Sequence, residues 1–241
     1  MYQLIIYCLA TALLIESVAY IASLITKNSS IADVVWGLGF IGIAKALIIK
    51  SDSSSWVLYL MAVLVSLWGI RLAYHIGRRN IGKAEDFRYQ AWRKKWGRWF
   101  SLRSYLQNFL LQGVLMVFIS ASLIVAANSD VISSSLSWWQ VAGILVWIYG
   151  FMFEIVADYQ LAKFIKNNKK DGAIMQSGLW AYSRHPNYFG EIMQWWGLWL
   201  IVITLPYGLL AVISPLTITL LILSSFSTNL RARLTTCWAI R

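Results

Sequence analysis

A chain of 241 residues that is 59% hydrophobic, with a mean hydropathy of +0.62, cannot bury its apolar surface in one soluble core. Its charged fraction is 13%, about half the roughly 25% of soluble domains, whereas its 14 Trp and 12 Tyr suit a boundary between lipid and water. Two distant cysteines, Cys8 and Cys237, and only two histidines exclude a disulfide framework and give no metal-ligand spacing.

The expected fold class is all-α, a polytopic bundle of transmembrane helices. Apolar stretches fall near residues 3–25, 31–49, 56–77, 105–127, 138–162, 189–205 and 207–226, each long enough or nearly so to cross about 30 Å of hydrocarbon. The runs are continuous rather than alternating, which selects helices over a barrel. Met1 to Ile25 has no basic n-region and no small-residue cleavage site, so it is expected to be a retained first span. The last two stretches are short and meet at a turn around Pro206. A single domain over residues 1–226 is expected, with an atypical tail over 227–241.

The charges orient the bundle. Arg78, Arg79, Lys83, Arg88, Arg93, Lys94, Lys95, Arg98 and Arg103 follow the third stretch; Lys163, Lys166, Lys169, Lys170 and Arg184 follow the fifth. The opposite loops hold little beyond Lys50, Asp52 and Asp130. Positive loops stay in the cytoplasm, so an odd span count leaves the N-terminus outside and the C-terminus inside. The net charge of +11 then reflects topology and anionic lipid heads, and nucleic acid is not the expected partner. Within the first basic loop, Trp92, Trp96, Trp99 and Phe100 are spaced for one face of a helix lying in the interface. Glu85, Asp86 and Arg88 beside it suit a local ion network.

Ionisable groups inside spans are costly and are candidates for function. Here they are Glu16, Asp33, Lys45, Arg71, Glu154, Asp158 and Glu191. Glu154 and Asp158 stand four residues apart on one helix face, where like charges repel. A cation such as Arg71 or Arg184, a shared proton, or a ligand that donates hydrogen bonds must compensate. Farther on, Pro186 suits the first turn of a helix. That puts Arg184 and His185 at a helix N-terminus, where free N–H groups and an arginine favour phosphate. Asn187 and Glu191 then share a face one turn deeper, as hydrogen-bonding groups for ribose or carboxamide.

Tyr182-Ser-Arg-His-Pro-Asn-Tyr-Phe-Gly-Glu191 resembles the signature of a membrane superfamily of steroid 5α-reductases, sterol reductases and isoprenylcysteine carboxyl methyltransferases. Ala32-Asp-Val-Val-Trp36-Gly, Trp68-Gly-Ile-Arg71-Leu, Glu85-Asp-Phe-Arg88-Tyr89, Leu111-Gln-Gly113 and Glu154-Ile-Val-Ala-Asp158-Tyr-Gln160 are similar to the bacterial branch of the 5α-reductases. The resemblance spans roughly residues 30–220. It implies a seven-helix reductase of the bacterial inner membrane, with NADPH bound from the cytosol and a lipophilic substrate, steroid- or isoprenoid-like. Glu154, Asp158, Asn187 and Glu191 would meet the nicotinamide–ribose part, with Tyr182 and His185 nearby. Arg71, Arg78 or Arg79, and Arg184 would lie near phosphate. Hydride would pass to an activated carbon–carbon double bond.

Two departures qualify the resemblance. Where the steroid enzymes carry a tyrosine that polarises the substrate ketone, this chain has Trp68, which donates a hydrogen bond but supplies no proton. Asp33 and Tyr74 are the candidate catalytic groups in its place. The tail after Ser227 lacks the family's acidic, Tyr- and Pro-bearing segment. The codons of Thr228-Asn-Leu-Arg-Ala232, shifted by one nucleotide, can encode Pro-Ile-Leu-Glu, which raises a frameshift as an expectation. Two other readings stay open: an S-adenosylmethionine-dependent lipid or prenyl-thiol methyltransferase, and a non-enzymatic membrane protein.

Overall fold

The computed structural model describes residues 1–52, 55–130, 136–168 and 173–224, and the regular structure among them is entirely helical. The expected tail at 227–241, and with it the frameshift, lies outside the described residues. Two compact units divide the chain, Met1–Ser134 with Leu205–Tyr207 and Ser135–Thr204 with Gly208–Arg241.

The first unit opens with α1 (Tyr2–Thr26), α2 (Ile31–Lys50) and α3 (Trp56–Asn80), each packed on its predecessor. A basic segment follows as α4 (Phe87–Trp96), a 3-10 turn (Gly97–Trp99) and α5 (Phe100–Ser104). Next come a π-helical segment (Tyr105–Leu110), α6 (Leu111–Ile119) and α7 (Ala121–Ala127). Among the described residues, five helical runs are long and apolar enough to cross a membrane: α1, α2, α3, Phe87–Ile119, and Trp138–Asn167 of the second unit. Only 28% of the apolar window of α1 is buried. Its outward face is therefore as greasy as its inward one, as lipid demands and water would punish.

The fourth apolar stretch, expected as one span over 105–127, is instead interrupted. The π segment carries an extra residue per turn, and Ser120 (φ −80°, ψ 5°) ends α6 before α7 begins. Hydropathy sums side chains and is blind to hydrogen-bond register, so it runs through both breaks. Near the π segment, Tyr89, Ala19, Ala32 and Phe109 form a buried cluster that draws α4 against α1 and α2.

The second unit holds α8 (Trp138–Asn167), a 3-10 turn (Gly178–Ala181), α9 (Pro186–Val202) and α10 (Leu210–Ser224). A capping box of Ser137 and Gln140 starts α8, satisfying two otherwise orphaned N–H groups. Pro186 occupies the first turn of α9, as its fixed φ and missing N–H favour. At 17 residues, α9 is about 25 Å long, short of about 30 Å of hydrocarbon. It begins three residues before the expected stretch at 189.

Glycine sets the distance between α8 and α9. A Cβ on Gly150 would lie 2.6 Å from the Gly190 carbonyl oxygen, and one on Gly143 would lie 2.6 Å from that of Gly197. The reciprocal distances are 2.6 Å from Gly190 and 2.7 Å from Gly197. Seven residues separate the glycines on each helix, so two contacts line one seam of an antiparallel pair. Backbone cannot yield here as a flexible side-chain tip would. Gly150→Ala is therefore expected to destabilise by about 1–3 kcal/mol, the usual penalty of overpacking. Gly77→Ala on α3, where the new methyl meets nothing within 4 Å, should be neutral or stabilising by up to about 1 kcal/mol. Thermal melts in detergent compare the two; equal losses would contradict the seam.

Candidate functional site

The closeness of α8 and α9 brings polar side chains together inside the second unit. Glu154 lies one turn beyond Gly150 and faces the gap left by Gly190, whose missing Cβ would fall 2.8 Å from that of Glu154. Glu154 and Asp158 are 3% and 7% exposed, so both carboxylates face α9 rather than the surroundings. From α9, Asn187, Glu191 and Gln194 occupy positions i, i+4 and i+7 of a single face. Glu191 and Gln194 are buried and Asn187 partly so.

Neutral amides answer the carboxylates. Gln194 Nε2 donates to Glu154 Oε2 at 2.7 Å and to the Gly190 carbonyl at 3.3 Å. Asn187 Nδ2 donates to Asp158 Oδ1 at 3.2 Å. These bonds fix both amides, since a flip would set oxygen against oxygen. Side-chain amides on the facing helix thus ease the repulsion expected between the two carboxylates. One consequence is a surplus of acceptors: Asn187 Oδ1 and Gln194 Oε1 are buried and receive no hydrogen bond. Such an atom costs about 1–3 kcal/mol until a donor reaches it.

The loop before α9 folds back on the far end of α8. Leu179 N–H donates to Gln160 Oε1 at 3.0 Å, and Trp180 Nε1 donates to the Ala157 carbonyl at 3.0 Å. Gly178 sits at φ +61°, where a Cβ would meet Gln160 Oε1 at 2.6 Å, so glycine is needed for both conformation and space. The His185 ring stacks on Tyr188 with centroids 5.2 Å apart and planes 4° apart. Arg184 is exposed, and Tyr182 is 92% exposed. Buried carboxylates and amides thus give way to a cationic, aromatic rim at the start of α9.

The remaining candidates belong to the first unit. Arg71, Tyr74 and Arg78 follow one stripe of α3 at spacings of three and four. Arg71 is partly buried, Tyr74 is 65% exposed, and the Tyr74 hydroxyl accepts from Arg78 Nη1 at 3.3 Å. Asp33 is drawn into other company. Its Oδ2 accepts from Arg88 Nη2 at 2.6 Å and its Oδ1 from the Tyr89 hydroxyl at 2.9 Å, tying α2 to α4. Arg88 also pairs with Asp86 at 2.9 Å, and Arg93 pairs with Glu85 at 2.9 Å. The network expected for Glu85, Asp86 and Arg88 therefore includes Asp33, Tyr89 and Arg93.

Sequence reasoning missed Gln194 and gave no role to Gln160 and Tyr89, which it quoted only as motif ends. Gln194 continues the Asn187–Glu191 face by three residues, which is signal enough to find it. The other two act on residues 19 and 56 positions away, so their roles are not local.

Burial pushes the Glu85 carboxyl up, but the bonds from Arg93 and the Ser29 amide outweigh it and hold it below the ordinary range. Burial likewise opposes, and Arg88 overcomes, the same lowering at Asp86. Groups with a lowered folded pKa stabilise fully above the unfolded value, near 4, and lose that contribution as pH falls through the folded value. Hydrogen exchange of residues 84–93 should therefore accelerate as the medium is acidified below about pH 4. Glu85→Gln should exchange faster at neutral pH and show a flatter acid limb; an unchanged acid limb would remove Glu85 from the network.

Comparison with known proteins places this geometry in a family. The model of the family described as "Protein of unknown function (DUF1295)" matches residues 19–236. The steroid 5-alpha-reductase DET2 of Gossypium hirsutum is 35% identical over 71 residues, 29% of this chain and 28% of that enzyme. Its namesake in Arabidopsis thaliana is 36% identical over 61 residues, 25% of this chain and 23% of that enzyme. The chain therefore spans about a quarter of the length of these plant relatives. The uncharacterized protein C594.04c of Schizosaccharomyces pombe is 25% identical over 228 residues, 80% of this chain and 62% of the relative. No solved structure matches the chain. The chain belongs to the DUF1295 family, within the steroid 5α-reductase superfamily.

Proposed function

We propose that this chain is a membrane-embedded NADPH-dependent reductase that acts on a carbon–carbon double bond of a lipophilic, steroid- or isoprenoid-like substrate. One observation carries the reading: the acceptor surplus between α8 and α9. Asn187 Oδ1 and Gln194 Oε1 lie buried without donors beside two carboxylates. A carboxamide N–H₂ and ribose hydroxyls are donors, so the residues present suit the nicotinamide–ribose half of the cofactor. The family relationship to steroid 5α-reductases supports the same assignment.

In this reading Glu154, Asp158, Asn187 and Glu191 hold the donors of the cofactor. Arg184 and His185, with Tyr182 at the rim, answer its phosphates; Arg71 and Arg78 are the first unit's candidate cofactor-binding cations. When bound, NADPH supplies the hydride. The proton comes from the chain. The Tyr74 hydroxyl accepts from Arg78 and so keeps its own O–H free to donate. Asp33, with both oxygens accepting, serves better to fix α4 on α2. Seven spans, an external N-terminus and basic loops facing the cytosol of a bacterial inner membrane complete the proposal, with residues 227–241 as an atypical tail after a bundle over 1–226.

NADPH titration of the detergent-purified chain tests it, with S-adenosylmethionine as the competing ligand. Hydrogen bonds to charged groups contribute about 1.5–3 kcal/mol, so Glu191→Gln and Arg184→Ala should each weaken binding by about ten- to a hundredfold. Binding of S-adenosylmethionine alone would instead identify a methyltransferase, and binding of neither, even after a family-like tail is restored, a non-enzymatic protein.

A further inference from the structure

A second polar concavity lies in the first unit, where the end of α1 meets α4, the 3-10 turn and α5. It is a cleft of about 240 Å³ whose lining includes Lys27, Arg93, Arg98, Tyr20 and Ser101. Among the described residues, no carboxylate lines it. Arg93 is engaged by Glu85, whereas Lys27 and Arg98 bring positive charge to its edge. Lys27 holds that place in a left-handed conformation, φ 53°, which non-glycine residues seldom adopt. The Tyr20 hydroxyl donates to the Ser101 carbonyl at 3.2 Å and shares a hydroxyl–hydroxyl bond of 2.9 Å with Ser101, which makes the wall polar and fixes α1 on α5. Ser23, whose Oγ donates to the Tyr20 carbonyl at 2.7 Å, lines the cleft as well.

We infer that this cleft binds the phosphodiester headgroup of an anionic glycerophospholipid. Size decides against a whole cofactor, since pockets that enclose drug-sized ligands hold about 300–1,000 Å³. The surroundings decide for a lipid over free phosphate. Leu24 lines the cleft and is 48% exposed, and Ile25 and Ile21 beside it on α1 are 77% and 55% exposed. On the other wall Trp99, next to Arg98, is 52% exposed, and Leu102, next to Ser101, is 50% exposed. Apolar faces for acyl chains thus adjoin cations for phosphate, with a tryptophan at the depth where aromatic rings settle.

Native mass spectrometry of the full chain, with added phosphatidylglycerol or phosphatidylcholine, tests the inference. Phosphatidylglycerol should be retained one to one and at least about tenfold better than phosphatidylcholine. Retention should fall by about tenfold in Lys27→Gln/Arg98→Gln, and in part in Arg98→Gln alone, which guards against misfolding of the double variant. Lys94→Gln/Lys95→Gln removes the same charge outside the cleft and should leave retention unchanged. Equal retention of the two lipids, equal losses in both double variants, or displacement of the lipid by millimolar inorganic phosphate would overturn it.

Discussion

Contact between the backbones of α8 and α9 is the constraint on which the candidate site depends. Side chains ordinarily hold two helices about 8–10 Å apart, but Gly143, Gly150, Gly190 and Gly197 let the backbone of each helix approach that of the other. In lipid the gain from such packing is not the hydrophobic effect, since tails and side chains are equally apolar. It comes from dispersion and short interhelical hydrogen bonds. The seam also sets the chemistry. At this separation the short amides of Asn187 and Gln194 reach carboxylates on the opposite helix, which they could not do across a leucine-filled interface.

Burying Glu154 and Asp158 in such a place is expensive, and the amides of Gln194 and Asn187 offset part of that cost. The oxygens of the same two amides are themselves buried acceptors without a hydrogen bond. A donor-bearing ligand would gain twice, from its own bonds and from relief of acceptors already buried. The first unit works the opposite way. Asp33, Glu85 and Asp86 each meet arginine directly, so that network is satisfied as it stands and serves to anchor α4.

Much of this was legible in the residues alone. Continuous hydropathy gave the first three helices within a few residues, Pro186 marked the start of α9, and the four-residue spacing of Glu154 and Asp158 fixed their common face. The Glu85–Arg88 network was readable because its members are near neighbours. What escaped has a common cause: it depends on contacts between distant segments or on register. Asp33 stands 55 positions from Arg88, so no local signal points to that pair. The π segment at Tyr105–Leu110 has the same composition as an ordinary apolar helix. The glycine seam was visible only as scattered glycines until the antiparallel pairing aligned 143 with 197 and 150 with 190.

If the acceptor cluster between α8 and α9 receives the cofactor, hydrogen exchange with and without NADPH shows it. The loop and first turn over residues 178–188 are exposed or partly exposed except at Pro186 and should exchange quickly in the free chain. NADPH at saturation should slow exchange there and at 150–160, more than S-adenosylmethionine does, and leave α2 unchanged. Protection confined to other segments, or given by S-adenosylmethionine alone, would contradict the account.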